Sequence, residues 1–262
     1  MSGNVEHTKT HMDGLEKMLE IGNSSPNPMI REILFWTDLL GSAFAHTPLR
    51  GYSPRPPKAV TRLHCLPVFL YQTTLAFLCR GFQPVLMEPA FEPLIDPLHE
   101  LRCLTIAFHF SSGKAHVELS IFTEMSSTIN RRLQSISHKN TSPIFEVCRV
   151  SSILFVNLVL LSRTTNFLTI CRELKSAITK LLFRNASPQG SKLMLWGLFI
   201  GAAATLETEL GRWFLEQFTN TLVIYGLRNL NAVKSVLVEF FWINGICDTL
   251  LISILEKWMA ST

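Results

Sequence analysis

The stretch KLMLWGLFIGAAATLETELGRWFLEQFTNTLVIYGLRNLNAVKSVLVEFFWINGICD, Lys192–Asp248, decides the fold. It is the densest apolar segment of the chain and holds three of the five tryptophans. It reads as three consecutive helices. The first, around Leu193–Ala204, is apolar nearly all the way round, which a helix tolerates only when neighbours cover every side. Gly197 and Gly201 lie four apart on it, so another helix can approach closely on that face. The third, around Asn231–Asn244, is one-sided, with Val233, Val236, Leu237 and Phe240 at i, i+3, i+4 and i+7. A buried helix followed by amphipathic ones describes a helical core, not a reaction centre.

Composition agrees with this. The chain has 262 residues, enough to bury a sizeable core, and is 47% apolar and 17% charged, the latter low against the usual quarter or so. Mean hydropathy is positive, which raises the question of a membrane span. The longest run without an ionisable Lys, Arg, Asp or Glu, Leu63–Cys79, contains His64, Pro67, Gln72, Thr73 and Thr74, a poor hydrocarbon-facing surface. The runs Val150–Ser162 and Leu193–Leu206 fall short of the roughly 18 apolar residues a span needs and read as core helices. The expectation is no membrane span. The N-terminus MSGNVEHTKTHMDGLEK is polar and lacks the apolar core of a secretory signal, so an intracellular chain is expected. The six cysteines show no C-x-x-C spacing and read as small buried hydrophobes. The net charge of +4 is scattered. Arg131–Arg132 and the series Arg172, Lys175, Lys180, Arg184 are its local concentrations, and the series reads as a solvated helix face.

In chain order, short helices are expected over Asp13–Ile21 and Met29–Leu40, then a proline-rich linker over residues 46–58. A helix over Ala59–Arg80, bent at Pro67, follows. Residues 81–97 carry Pro84, Pro89, Pro93 and Pro97 and read as a connection. Leu98–Leu133 reads as helices broken near Ser111–Gly113, although Val117, Leu119 and Ile121 alternate as a strand would. Helices over Ile144–Leu161 and Asn166–Phe183 lead into the opening stretch. A last helix, Ile246–Met259, repeats Ile246, Leu250, Ile254 and Trp258. The fold class is all-α: an irregular bundle of about ten helices around one apolar core. Residues 1–58 form an N-terminal appendage and residues 59–262 the helical domain.

No G-x-G-x-x-G, P-loop, G-x-S-x-G or H-E-x-x-H is present. His7 and His11 have chelating spacing but precede any periodic segment, and His64, His109 and His116 lack a carboxylate partner pattern. Glu207 and Glu209 point to different faces of any helix that holds both. The reading is a protein that is not an enzyme, with no catalytic residue, no metal ligands and no cofactor.

Two segments carry a family resemblance. FEVCRVSSILFVNLVL, Phe145–Leu160, resembles the Cys-Arg-aliphatic-Asn helix of fungal-specific transcription factor regulatory domains, here Cys148, Arg149 and Asn157. LWGLFIGAAATLETELGRWFLEQF followed by LNAVKSVLVEFFWINGICD resembles the closing block of that family. There, a Trp-Gly helix leads to an Arg-x-x-Phe-like helix, then to a Phe-Leu-Trp ending and a short acidic tail. The matching places are Trp196, Gly201, Arg212, Trp213, Phe214, Leu237, Phe241, Trp242 and Asp248. Such domains usually follow a cysteine-rich zinc cluster that reads DNA. No such cysteine array exists in this chain, so zinc and direct sequence-specific DNA binding are not carried over.

The resemblance implies a regulatory domain acting in the nucleus (the cytoplasm is the alternative) through other transcription regulators or a self-dimer, with an apolar effector as a further option. The rival reading is a helical apolar-ligand-binding or membrane-peripheral protein with residues 59–80 and 193–206 lining a cavity. Arg149, inside an apolar helix, calls for a structural ion pair with Glu146, Asp248 or a neighbouring acid; the alternative is an effector-binding cation. Asn157 is expected to bond across helices, and Trp196, Trp213 and Trp242 to anchor the core.

Overall fold

The computed structural model describes residues 79–111, 119–136, 142–162, 167–183 and 188–259. The expected appendage over residues 1–58 and the helix over Ala59–Arg80, up to residue 78, lie outside them. Nine α-helices account for most of the described chain, and among the described residues there is no strand. They are α1 Gln83–Leu86, α2 Glu92–Ser111, α3 Leu119–Ser135, α4 Pro143–Phe155, α5 Leu168–Leu182, α6 Pro188–Thr205, α7 Glu209–Ile224, α8 Leu230–Leu237 and α9 Ile246–Met259. The fold is all-α, as the periodicity requires.

Helix starts follow from local chemistry. Ser142 accepts from the Phe145 amide at 3.3 Å, with Pro143 opening α4 and Glu146 in its first turn. Thr208 accepts from Gly211 at 3.0 Å and Asn229 from Ala232 at 2.8 Å, capping α7 and α8. These side chains satisfy amides that have no partner inside the helix. At the other end of α7, Gly226 has φ +64°. The Leu227 amide reaches the Leu222 carbonyl at 2.9 Å and Gly226 reaches Val223 at 3.1 Å, the paired bonds of a left-handed helix stop.

The α6 helix is the hub. It packs against α4, α5, α7, α8 and α9 and against the turn at Arg80–Phe82, which is why its apolar residues need no outward face. Every residue from Leu193 to Ala202 is buried. Its two inner glycines admit two different neighbours rather than one. A Cβ on Gly197 would lie 2.9 Å from Ser151 Oγ of α4, and one on Gly201 would lie 2.5 Å from the Phe214 ring of α7.

Residues 81–97 correct the sequence reading. They hold α1, the start of α2 and two short 3-10 turns, Arg80–Phe82 and Pro89–Phe91. Pro84 and Pro93 occupy second helical positions and Pro89 opens its turn, where a missing amide removes no bond. Only Pro97 lies inside a helix, and it is buried. The expected helix Asn231–Asn244 also ends early, at Leu237. Beyond it, the Glu239 carbonyl accepts from Gly81 at 2.8 Å, Phe240 from Cys79 at 3.4 Å and Phe241 from the Trp196 indole at 3.3 Å. Three carbonyls engaged by distant donors are not free to continue a helical ladder.

Those bonds frame an aromatic cluster of Phe82, Phe155, Trp196, Phe240 and Phe241. Trp196 stacks on Phe240 at 5.6 Å, and Phe82 meets Phe240 edge-on at 5.0 Å. Pro143–Leu160 has the length and apolarity of a membrane span, yet 72% of it is buried inside this core. On α9 the buried stripe is Cys247, Leu251 and Ile254; of the expected row, Ile254 is buried, and Ile246, Leu250 and Trp258 are partly buried against the core. A strict four-residue row drifts around a 3.6-residue helix, so only part of it can lie on the fully buried stripe.

Candidate functional site

Several polar side chains of the α2, α3 and α4 region pair within and between these helices. Arg149 is buried and donates to Glu146 Oε2 from Nη2 at 2.7 Å and from Nε at 3.2 Å. It also reaches the Leu133 carbonyl at 3.4 Å, with Glu173 3.7 Å away. The Glu146 partnership is the expected one, whereas Asp248 is engaged elsewhere. It pairs with Lys234 at 2.6 Å and accepts from the Gly245 amide at 3.0 Å. Burial raises the Asp248 pKa, but the Lys234 and Gly245 hydrogen bonds outweigh it and hold the carboxyl below its ordinary value.

Asn157 bonds across helices. Its amide donates to Asn130 Oδ1 at 2.9 Å and receives the Asn130 amide at 3.4 Å. It also donates to the Ile153 carbonyl at 2.8 Å, an acceptor the α-ladder assigns to a backbone amide. From Val156 to Leu160 the chain widens into π-helical turns, the response expected where a side chain enters the ladder. Nearby, Arg132 pairs with Glu100. His99 is buried, its Nδ1 has no hydrogen-bond partner, and burial together with the Arg102 charge lowers its pKa to about 4.

The remaining family-motif residues are mostly interior. Cys148, Trp196, Phe214 and Leu237 are fully buried, Gly201 lies under the Phe214 ring, and Trp242 stacks on Phe199 at 5.5 Å. The five described cysteines are buried free thiols. Burial pushes the Cys171 and Cys247 thiols up to about 12 and raises Cys79 and Cys148 as well. Among the described residues, no group of histidine, cysteine and carboxylate side chains is placed to hold a metal ion.

Arg212 and Trp213 depart from this pattern. Arg212 is exposed, and Trp213 is half-buried rather than a core anchor. The Lys175 ammonium lies 4.8 Å above the Trp213 ring, and Phe214 meets that ring edge-on at 5.0 Å. Lys175, Arg212 and Trp213, with Leu168, Arg172, Glu209 and Glu216, line a cleft of about 540 Å³ between α5 and α7. The sequence signal for it was the basic series on α5, whose Arg172 and Lys180 are exposed and whose Lys175 is half-buried. Arg184 lies outside the described residues.

The fold and these residues define an all-helical domain whose motif positions build a scaffold around one aromatic core. The family model of the fungal specific transcription factor domain matches residues 104–242. That is more than half of the chain, and the chain belongs to this family, which is one of transcription regulators and not a known enzyme family. The match begins inside α2, well before Phe145, and ends at Trp242, the close of the aromatic block. No curated protein and no solved structure matches the chain.

Proposed function

We propose that this chain regulates transcription in the nucleus through protein contacts made by its helical domain, without reading a DNA sequence itself. The family match over residues 104–242 carries the regulatory part of this reading. The charge arrangement supports the second part. Among the described residues, Arg132, Arg149, Lys192, Lys234 and Lys257 each face a carboxylate within the fold, so these five are engaged internally rather than offered to a phosphate backbone. The packing of α6 gives less support to the apolar-ligand alternative, because protein neighbours cover residues 193–202, part of one of the two segments expected to wall a cavity; residues 59–78 of the other lie outside the described residues.

The test combines a fluorescent tag, gene deletion and purified full-length protein. The expected result is nuclear signal, a defined set of transcripts that change on deletion, and no sequence-selective DNA shift by the protein alone at physiological salt. Exclusion from the nucleus with an unchanged transcript profile overturns the regulatory reading. A selective, tight DNA complex overturns the protein-contact mechanism.

A further inference from the structure

We infer that the groove between α5 and α7 is a docking site for an acidic peptide segment of a partner protein, anchored by one bulky apolar side chain against Trp213. This rests on the reading above that the domain works through protein contacts, and it specifies the chemistry of one such contact.

The groove is elongated. The 540 Å³ cleft at Trp213 continues along α5 into a hollow of about 350 Å³ that shares Arg172 and Lys175 and reaches Lys180. From Leu168 to Lys180 a helix rises by about 18 Å, the span of roughly five extended residues. Both hollows are open to solvent along this length, whereas a small-molecule site encloses most of its ligand.

The charges on the two walls differ. On the α5 wall every lining charge is a cation: Arg172, Lys175 and Lys180. The acid of that helix, Glu173, turns away toward Arg149. The α7 wall alternates Glu209, Arg212 and Glu216. Among the described residues no ion pair engages Arg172, Lys180 or Arg212. A row of cations along the α5 wall, with Arg212 facing them from α7, suits carboxylates presented in a row. The carboxylates of Glu209 and Glu216 oppose a continuous phosphate backbone. Trp213, flanked by half-buried Leu168 and Leu210, supplies the apolar floor on which an anchoring side chain sits.

The experiment titrates the full-length protein into a fluorescein-labelled acidic peptide of Asp and Glu carrying a single phenylalanine, read by anisotropy. Arg172→Glu and Arg212→Glu are expected to weaken binding about tenfold each. Phe→Ala in the peptide should weaken it about fivefold. Arg228→Glu, an equal charge change at an exposed site outside the groove, should alter it less than about twofold. Circular dichroism checks that these surface variants stay folded. Wild-type-like binding by Arg172→Glu and Arg212→Glu, or equal binding of the lysine counterpart of the peptide, overturns the inference. So does displacement of the peptide by inorganic phosphate at matching concentration, which would mark a small-anion site. In cells, transcripts that respond to deletion but are fully restored by the Arg172→Glu/Arg212→Glu protein sink the groove and leave the regulatory reading standing. Transcripts indifferent to deletion sink the regulatory reading itself.

Discussion

Replacing Gly201 with alanine adds one methyl group where α6 packs closely against α7 in the core. On the existing backbone its Cβ would lie 2.5, 2.6 and 2.8 Å from Cε1, Cδ1 and Cζ of Phe214. Ordinary carbon contacts sit near 3.5–4.0 Å, so the ring or the helix must yield by about 1 Å. Phe214 is fully buried and held edge-on by Trp213, so the ring has nowhere to swing. Overpacking of this kind costs about 1–3 kcal/mol, and alanine returns about 1 kcal/mol of helix propensity over glycine. The expected net loss is about 1 kcal/mol. Two further glycines set the scale. Gly197→Ala meets only Ser151 Oγ at 2.9 Å and Val147 Cγ1 at 3.1 Å, a smaller overlap that helix propensity roughly offsets. Gly211→Ala would set its Cβ onto the Thr205 carbonyl; backbone cannot step aside as a side chain does, so that variant should be the worst of the three. Urea unfolding followed by circular dichroism ranks them by midpoint at constant slope. Phe214→Leu should then rescue Gly201→Ala, with a coupling of about 1 kcal/mol in the double-mutant cycle. A Gly201→Ala protein more stable than wild type, or strict additivity with Phe214→Leu, refutes the close-approach argument.

Two other perturbations probe the polar interior. His99 is neutral in the fold with a pKa of about 4, below its unfolded value. It therefore contributes stability above about pH 6.5 that drains away as pH falls toward 4, about 2 kcal/mol of it by pH 5. His99→Asn should flatten that part of the pH–stability curve, and an unchanged slope between neutral pH and pH 5 would speak against it. Glu146→Leu strands the Arg149 guanidinium and should cost about 2–4 kcal/mol, whereas Glu146→Leu combined with Arg149→Met should recover most of the loss. Urea midpoints in the opposite order would show that the pair is not a matched unit.

Much of the architecture was readable because one property dominates it. The unbroken apolar run of α6 has no reading other than a helix covered on all sides, and Phe122, Met125, Ile129 and Leu133 fall on one buried stripe of α3. Two features resisted. The prolines of residues 81–97 looked like breakers, yet proline at the start of a helix is as natural as proline in a loop, and periodicity does not separate the two. Phe82, a member of the aromatic cluster, was hidden with them. Phe240 was correctly expected to be buried, but not in a helix, because its carbonyl is claimed by Cys79, a donor that no local window contains. The groove was legible only as a row of cations on α5. Its other wall, and the tryptophan between them, depend on the packing of α5 against α7.

The bonds that join Cys79 and Gly81 to Glu239 and Phe240 have a consequence for biosynthesis. A nascent chain that has emerged as far as Leu237 already contains α1 through α8, and each of these can coil as it leaves the ribosome. Phe82 and Trp196, however, still lack Phe240 and Phe241, the rings that cover them. Contacts so distant in sequence close late. Translation of the Glu239–Trp242 tetrapeptide is then the event that closes the aromatic cluster, before α9 adds the last face of the core, and a ribosome stalled just short of it holds a chain with its aromatic centre open to chaperones.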